Sequence, residues 1–209
     1  MNALKNYNYE NIALFLTFFL LWVSIQFGEI VEDFLAYVMV ISLGILHGAN
    51  DLLILSIKNK KEKSLLKNLI IYISIIFLCL IIYLFNPFIA IVLFVLLSSY
   101  HFGEEHLADR INVNLAFNFF YFLGYGMFVF SLLFYQSIPD VDLIMKELTG
   151  LTFTKNQIEI TLFVSSGYLC MASLFLILTK RNNYKMFFKE FFYLVLLYLV
   201  FRTSSLILG

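Results

Sequence analysis

The chain has 209 residues, 62% of them hydrophobic and only 13% charged, with a mean hydropathy of +0.90. A soluble domain of this length does not carry such a composition, so the bilayer is its solvent. Formal net charge is zero, and nothing in it points to nucleic acid or to an acidic substrate.

The opening MNALKNYNYEN is polar. The apolar run that follows, 11–27, is long enough to span and lacks a small-residue cleavage site, so it predicts a first membrane helix and not a signal peptide. Further runs of about 20 apolar residues lie at 34–57, 68–86, 88–107, 115–136, 158–179 and 190–209. Pro87, after Asn86, marks a turn between the third and fourth runs. Only the connection 137–157 is long enough to fold into anything of its own. Residues 1–209 therefore read as one all-α domain, a polytopic membrane helix bundle of about seven transmembrane helices. Cys79 and Cys170 sit within apolar runs and read as apolar fillers, not as a disulfide.

Lysine and arginine orient the bundle. Lys58, Lys60, Lys61, Lys63 and Lys67 crowd the connection after the second run, and Lys180, Arg181, Lys185 and Lys189 the one after the sixth. Lys5 and Arg110 fall on the same side if the spans alternate. Opposite them lie Glu29, Glu32, Asp33, Asp140, Asp142 and Glu147, with Lys146 and Lys155 the basic residues there. The positive-inside rule places the N-terminus in the cytoplasm of a multi-pass cell-membrane protein. The second and fourth spans then run in the same direction.

Those two spans carry the chain's most unusual residues. His47 in SLGILHGANDLLIL is followed four residues later by Asp51, and His101 in LFVLLSSYHFGEEHL by Glu105. Ionisable groups inside a membrane helix are costly and mark a pathway, a proton relay or a metal. Both histidines fall toward the cytoplasmic half of their spans, at similar depth, which points to one shared polar site. Each also has a glycine within two positions, allowing close helix or substrate approach.

A neutral imidazole is the commonest protein ligand for iron, zinc or copper, and its second ring nitrogen usually donates to a carboxylate or carbonyl. Residues i and i+4 share a helix face. Asp51 and Glu105 can thus support their own histidine or face the histidine of the neighbouring helix. Imidazole alone does not choose the metal. Two other readings stay open: plain hydrogen bonding of each histidine within the bundle, and a transporter or proton channel using the His–acid pairs as relays.

Other polar residues carry less. His106, near Glu104, Asp109 and Arg110, reads as a solvated interfacial histidine, and its spacing of five from His101 puts the two on different faces. Glu104 reads as hydrated. Arg202 lies inside the last run, where it snorkels or pairs with an acid. Phe117, Phe119, Phe120, Tyr121 and Phe122 cluster in the fifth run, and Tyr100 and Phe102 flank His101. Such rings line a tunnel for a long apolar substrate, or they pack against lipid and neighbouring helices.

At HGAND and SSYHFGEEH the sequence resembles the Brp/Blh family of membrane β-carotene 15,15'-dioxygenases, named for a bacterioopsin-related protein and its homologues. His47, Gly48, Ala49 and Asp51 match the family's first element, and His101, Phe102 and Gly103 its second, about fifty residues later. The resemblance implies cleavage of β-carotene by dioxygen at its central double bond, giving two molecules of all-trans-retinal. It also implies non-haem Fe(2+) held by histidines, His47 and His101 among them, with Asp51 and Glu105 able to orient the ligands. A hydrocarbon polyene offers no acidic proton and no leaving group, so a redox-active metal that binds dioxygen suits the task.

Family members continue into a further span with additional histidines, whereas this sequence ends at Gly209 inside an apolar run. The expectation is an incomplete chain whose remaining ligands lie downstream. A seven-span rhodopsin would need a lysine within the last run, and 190–209 has none. A membrane di-iron desaturase would need clustered histidine boxes, and none is present.

Overall fold

The computed structural model describes residues 2–28, 30–42, 64–111, 113–179 and 184–206. Every regular element among them is a helix. In chain order these are α1 (Asn2–Phe27), α2 (helical over 30–42), α3 (Ser64–Phe85), α4 (Pro87–Leu107), α5 (Leu115–Gln136), α6 (Ile138–Thr149), α7 (Lys155–Thr179) and α8 (Tyr184–Thr203). Three of the described helices are long and apolar enough to cross a membrane: α4, α5 and α7. Shorter apolar stretches run along α1 (Leu14–Phe27) and α3 (Leu69–Phe85).

The helix boundaries follow local chemistry. At the start of α4 the Asn86 side chain accepts from the Ile89 backbone N–H at 3.1 Å, with Pro87 in the first turn. An asparagine cap satisfies a donor the helix leaves open, and proline there costs nothing because its missing N–H has no partner to lose. Asn114 caps α5 in the same way, accepting from Phe117 N–H at 2.8 Å. The Pro87 turn expected from the sequence is thus present, in its place.

Helices α4 and α5 form the tightest pair, and two glycines make it so. A Cβ added at Gly126 would lie 1.9 Å from the carbonyl oxygen of Ser99, and one at Gly103 would lie 2.0 Å from that of Phe122. No real Cβ tolerates such distances, so the two backbones touch only because both residues are glycine. This is the small-residue seam that packs helices where lipid removes the hydrophobic drive. Around it Tyr121, Tyr125 and Val129 of α5 pack with Leu107, Leu176 of α7 and Phe201 of α8 to form the core. Outward-facing rings and leucines remain exposed, Phe163 at 79% and Leu178 at 82% among them, which suits hydrocarbon surroundings better than water.

The long connection does fold. It forms α6, amphipathic over twelve residues, with Val141 and Met145 buried while Asp140, Lys146 and Glu147 are exposed. Gly150, at φ 73°, ends it in the left-handed conformation that glycine adopts freely. Asp142 accepts from the Phe153 N–H at 2.7 Å and closes the turn into α7.

Several expectations are corrected. The last apolar run, 190–209, does not form one helix: α8 starts at Tyr184 and stops at Thr203. It carries Lys185, Lys189, Glu190 and Arg202, and those charges keep it apart from the three uninterrupted apolar helices. Glu32 is buried and accepts from the Ser205 backbone N–H just past α8. Free Cys79 and Cys170 are exposed on the outer faces of α3 and α7. The second predicted span lies mostly outside the described residues, as do His47 and Asp51.

Candidate functional site

Helix α4 presents three different faces near its C-terminal end. One is the glycine seam, where Ser99, Gly103 and Leu107 are buried. The second carries His101. Its Nε2 lies 3.5 Å from Oε1 of Glu105, one turn on, and the two side chains are 50% and 51% exposed. Of the two arrangements the sequence allowed, Glu105 therefore adopts the first and stands beside its own histidine. Phe94 and Leu97 precede His101 at i−7 and i−4 on the same stripe, and both are well exposed, at 65% and 63%.

The third face holds a charged cluster that the sequence reading missed. Nε2 of His106 lies 2.7 Å from Oε2 of Glu190 on α8, and Arg110 donates to the other oxygen of the same carboxylate. The Glu190 side chain is only 8% exposed, and its two partners are each 27% exposed. An ionised carboxylate only accepts, so the His106 Nε2 carries the hydrogen. Aromatic rings enclose the pair: His106 stacks on Tyr125 at 5.3 Å and meets the Tyr193 edge at 5.7 Å. Arg110 and Lys189 both lie over the Tyr193 ring, at 5.9 and 5.8 Å. His106 is thus no solvated interfacial histidine but half of a bridge between α4 and α8. The signal was present: Glu190 opens an apolar run, and a carboxylate there needs partners. What the sequence did not give was the pairing across 84 positions.

Glu104 is likewise not left to water, since it accepts from the Tyr100 hydroxyl at 2.9 Å. Arg202 reaches the Tyr198 hydroxyl at 3.4 Å along its own helix. Of the aromatic cluster, Tyr121 and Phe122 are core residues, whereas Phe119 and Phe120 are exposed.

A cavity of about 520 Å³ opens between α4, α5, α6 and α7. Its walls are apolar apart from Ser131 and Thr161, and both hydroxyls are turned to their own helices, to Met127 and Gln157 carbonyls. Such a volume fits a bulky apolar group. On α4 the wall runs from Ile91 to Leu96 and includes Phe94, so the cavity reaches the stripe that leads to His101.

Among the described residues no three His, Cys, Asp or Glu side chains gather closely enough to hold a metal ion. His101 and Glu105 have the donor chemistry of a ligand and its supporting acid. His106 is committed to Glu190 and does not join them. The family model described as "Beta-carotene 15,15'-dioxygenase" matches residues 38–209, a stretch that contains both His-x-x-x-acid elements. Neither a curated protein nor a solved structure matches the chain.

Proposed function

We propose that this chain, which belongs to the β-carotene 15,15'-dioxygenase family, is an integral-membrane enzyme that cleaves β-carotene at the central double bond to give two molecules of retinal. The observation that carries the reading is the family match over 38–209, inside which HGAND and HFGEE both fall. In the reaction the central C=C and the O–O bond break and two C=O bonds form, so each product takes one oxygen atom and no further reductant is needed.

His47 and His101 are the residues we assign to holding Fe(2+), which when bound supplies the redox chemistry that side chains lack. The chemistry of the donors fits: a half-exposed imidazole backed by a carboxylate at i+4. Glu105, and Asp51 at the equivalent offset, would fix the ring orientation and hold the hydrogen on the non-ligating nitrogen. The exposed Phe94–Leu97 stripe would receive the polyene from the bilayer without passing it through water. Lysines concentrated at 58–67 and 180–189 support an N-terminus in the cytoplasm and a multi-pass plasma-membrane location.

Expression in a carotene-accumulating bacterium tests the reading. Cells should bleach and accumulate retinal in an oxygen-dependent way, and the detergent-purified protein should contain iron. A membrane-inserted protein that leaves the colour unchanged overturns the enzyme. A purified protein free of iron that moves protons across vesicles would favour a relay instead.

A further inference from the structure

We propose that the cavity between α4 and α6 seats one cyclic end of the carotene and thereby selects the bond that is cut; this rests on the reading above. Three observations bring the cavity and the reacting position together. Its walls are almost wholly apolar, because the Ser131 and Thr161 hydroxyls are bonded to their own helices. Its rim includes Phe94, which shares the stripe Phe94–Leu97–His101. Phe94 and Leu97 are also exposed along that stripe, so a chain leaving the cavity can lie on them.

The distances agree. Seven residues of α4 separate Phe94 from His101, which at about 1.5 Å per residue is roughly 10 Å. Nine bonds separate the ring of β-carotene from its central double bond, and at roughly 1.2 Å per bond of an extended chain they span roughly 11 Å. A ring held at the Phe94 end therefore brings the central double bond level with His101. The cavity acts as a stop that measures half the substrate.

Helix α6 supplies the movable wall of that stop. Ile144 and Leu148 line the cavity yet are 41% exposed, so bulk can be added there without entering the core around α5. A tryptophan at either position would hold the ring closer to His101. One conjugated step is two bonds, roughly 2.4 Å at the same spacing, so a shift of that size moves the cut by one double bond.

The test is to express Ile144→Trp, Leu148→Trp and the cavity-enlarging Met145→Ala beside the unaltered chain, in cells that accumulate β-carotene. Aldehydes are identified by mass, and carotene retained by protein purified without oxygen is read from its absorbance. The unaltered chain should yield retinal alone, and the tryptophan variants a shorter and a longer aldehyde in equal amounts, with carotene retention reduced at least severalfold. Retinal as sole product at the unaltered rate and unaltered carotene retention, in a variant shown to be folded and inserted, overturns the stop. If the unaltered chain gives no aldehyde, the enzyme reading fails instead. The cavity is still judged by retention, which the tryptophans should lower and which, left unchanged, overturns it.

Discussion

Replacing Glu190 by alanine removes the one acceptor shared by His106 and Arg110. Truncating one partner of a fully buried ion pair costs about 3–5 kcal/mol, because the remaining charge stays buried without compensation. Here the carboxylate is 8% exposed but its partners are each 27% exposed, so water reaches them once it is gone. That lowers the expected loss to about 2–3 kcal/mol. For a chain of this length the loss corresponds to a drop of roughly 4–12 °C in midpoint, read by circular dichroism of detergent-solubilised protein. Glu190→Gln, which keeps one oxygen acceptor and loses the charge, should fall between the two. The decisive measurement is a cycle of Glu190→Ala, Arg110→Ala and the double variant. Coupling should exceed 1 kcal/mol, as it does for contacting charged neighbours. Additive losses, within about 0.5 kcal/mol, would show that the bridge contributes nothing and that α4 and α8 are held by their apolar contacts alone.

Gly126→Ala and Gly103→Ala should each push α4 and α5 apart, since the new Cβ would stand 1.9 or 2.0 Å from a backbone oxygen; a loss of at least 1–3 kcal/mol is expected, and unchanged thermal midpoints would contradict the seam. His101→Ala should abolish cleavage and lower bound iron while leaving the midpoint near the original. His106→Ala should do the reverse, and equal iron loss from both would place His106 in the metal site. Asp51→Asn should reduce iron affinity or rate by roughly ten- to a hundredfold, and Asp51→Leu by more; full iron occupancy with normal turnover in the leucine variant would leave Asp51 without a role there.

Much of the architecture was legible because long apolar helices announce themselves by length and composition. The runs at 88–107 and 115–136 match α4 and α5 to within a residue, and the Asn86–Pro87 turn was readable because a cap and a proline act locally. Pairings between distant positions were not. Nothing local distinguishes Glu104, which bonds Tyr100 one turn back, from Glu190, which crosses to another helix. Nor does a charge's place between apolar runs show that Glu32 and Asp142 each satisfy a backbone N–H. Hydropathy counts a carboxylate as polar wherever it lies. Only the folded chain shows that a helix end or turn has spent that polarity on its own backbone.

The two histidines of α4 sit on different faces of one helix, each beside its own carboxylate. Five residues turn the helix by about 500°, or 140° net, so His101 and His106 look in different directions. The glycine seam occupies a third direction and brings α5 into backbone contact, which fixes the rotation of α4 about its axis. With that rotation set, Glu190 can lock His106 from α8 while His101 is left beside Glu105 on the opposite side. The lock holds the His106 ring against α8, on a different face from His101. The spacing of five, which first made His106 look incidental, is what gives each histidine its own carboxylate partner. Moving His106 to the preceding position by exchanging it with Glu105 should therefore fail twice: the bridge to Glu190 is lost, and His101 loses its carboxylate. Measuring midpoint and iron content on that exchanged variant checks the point: an unchanged midpoint would show that the bridge is not needed, and unchanged iron content that the carboxylate beside His101 is not.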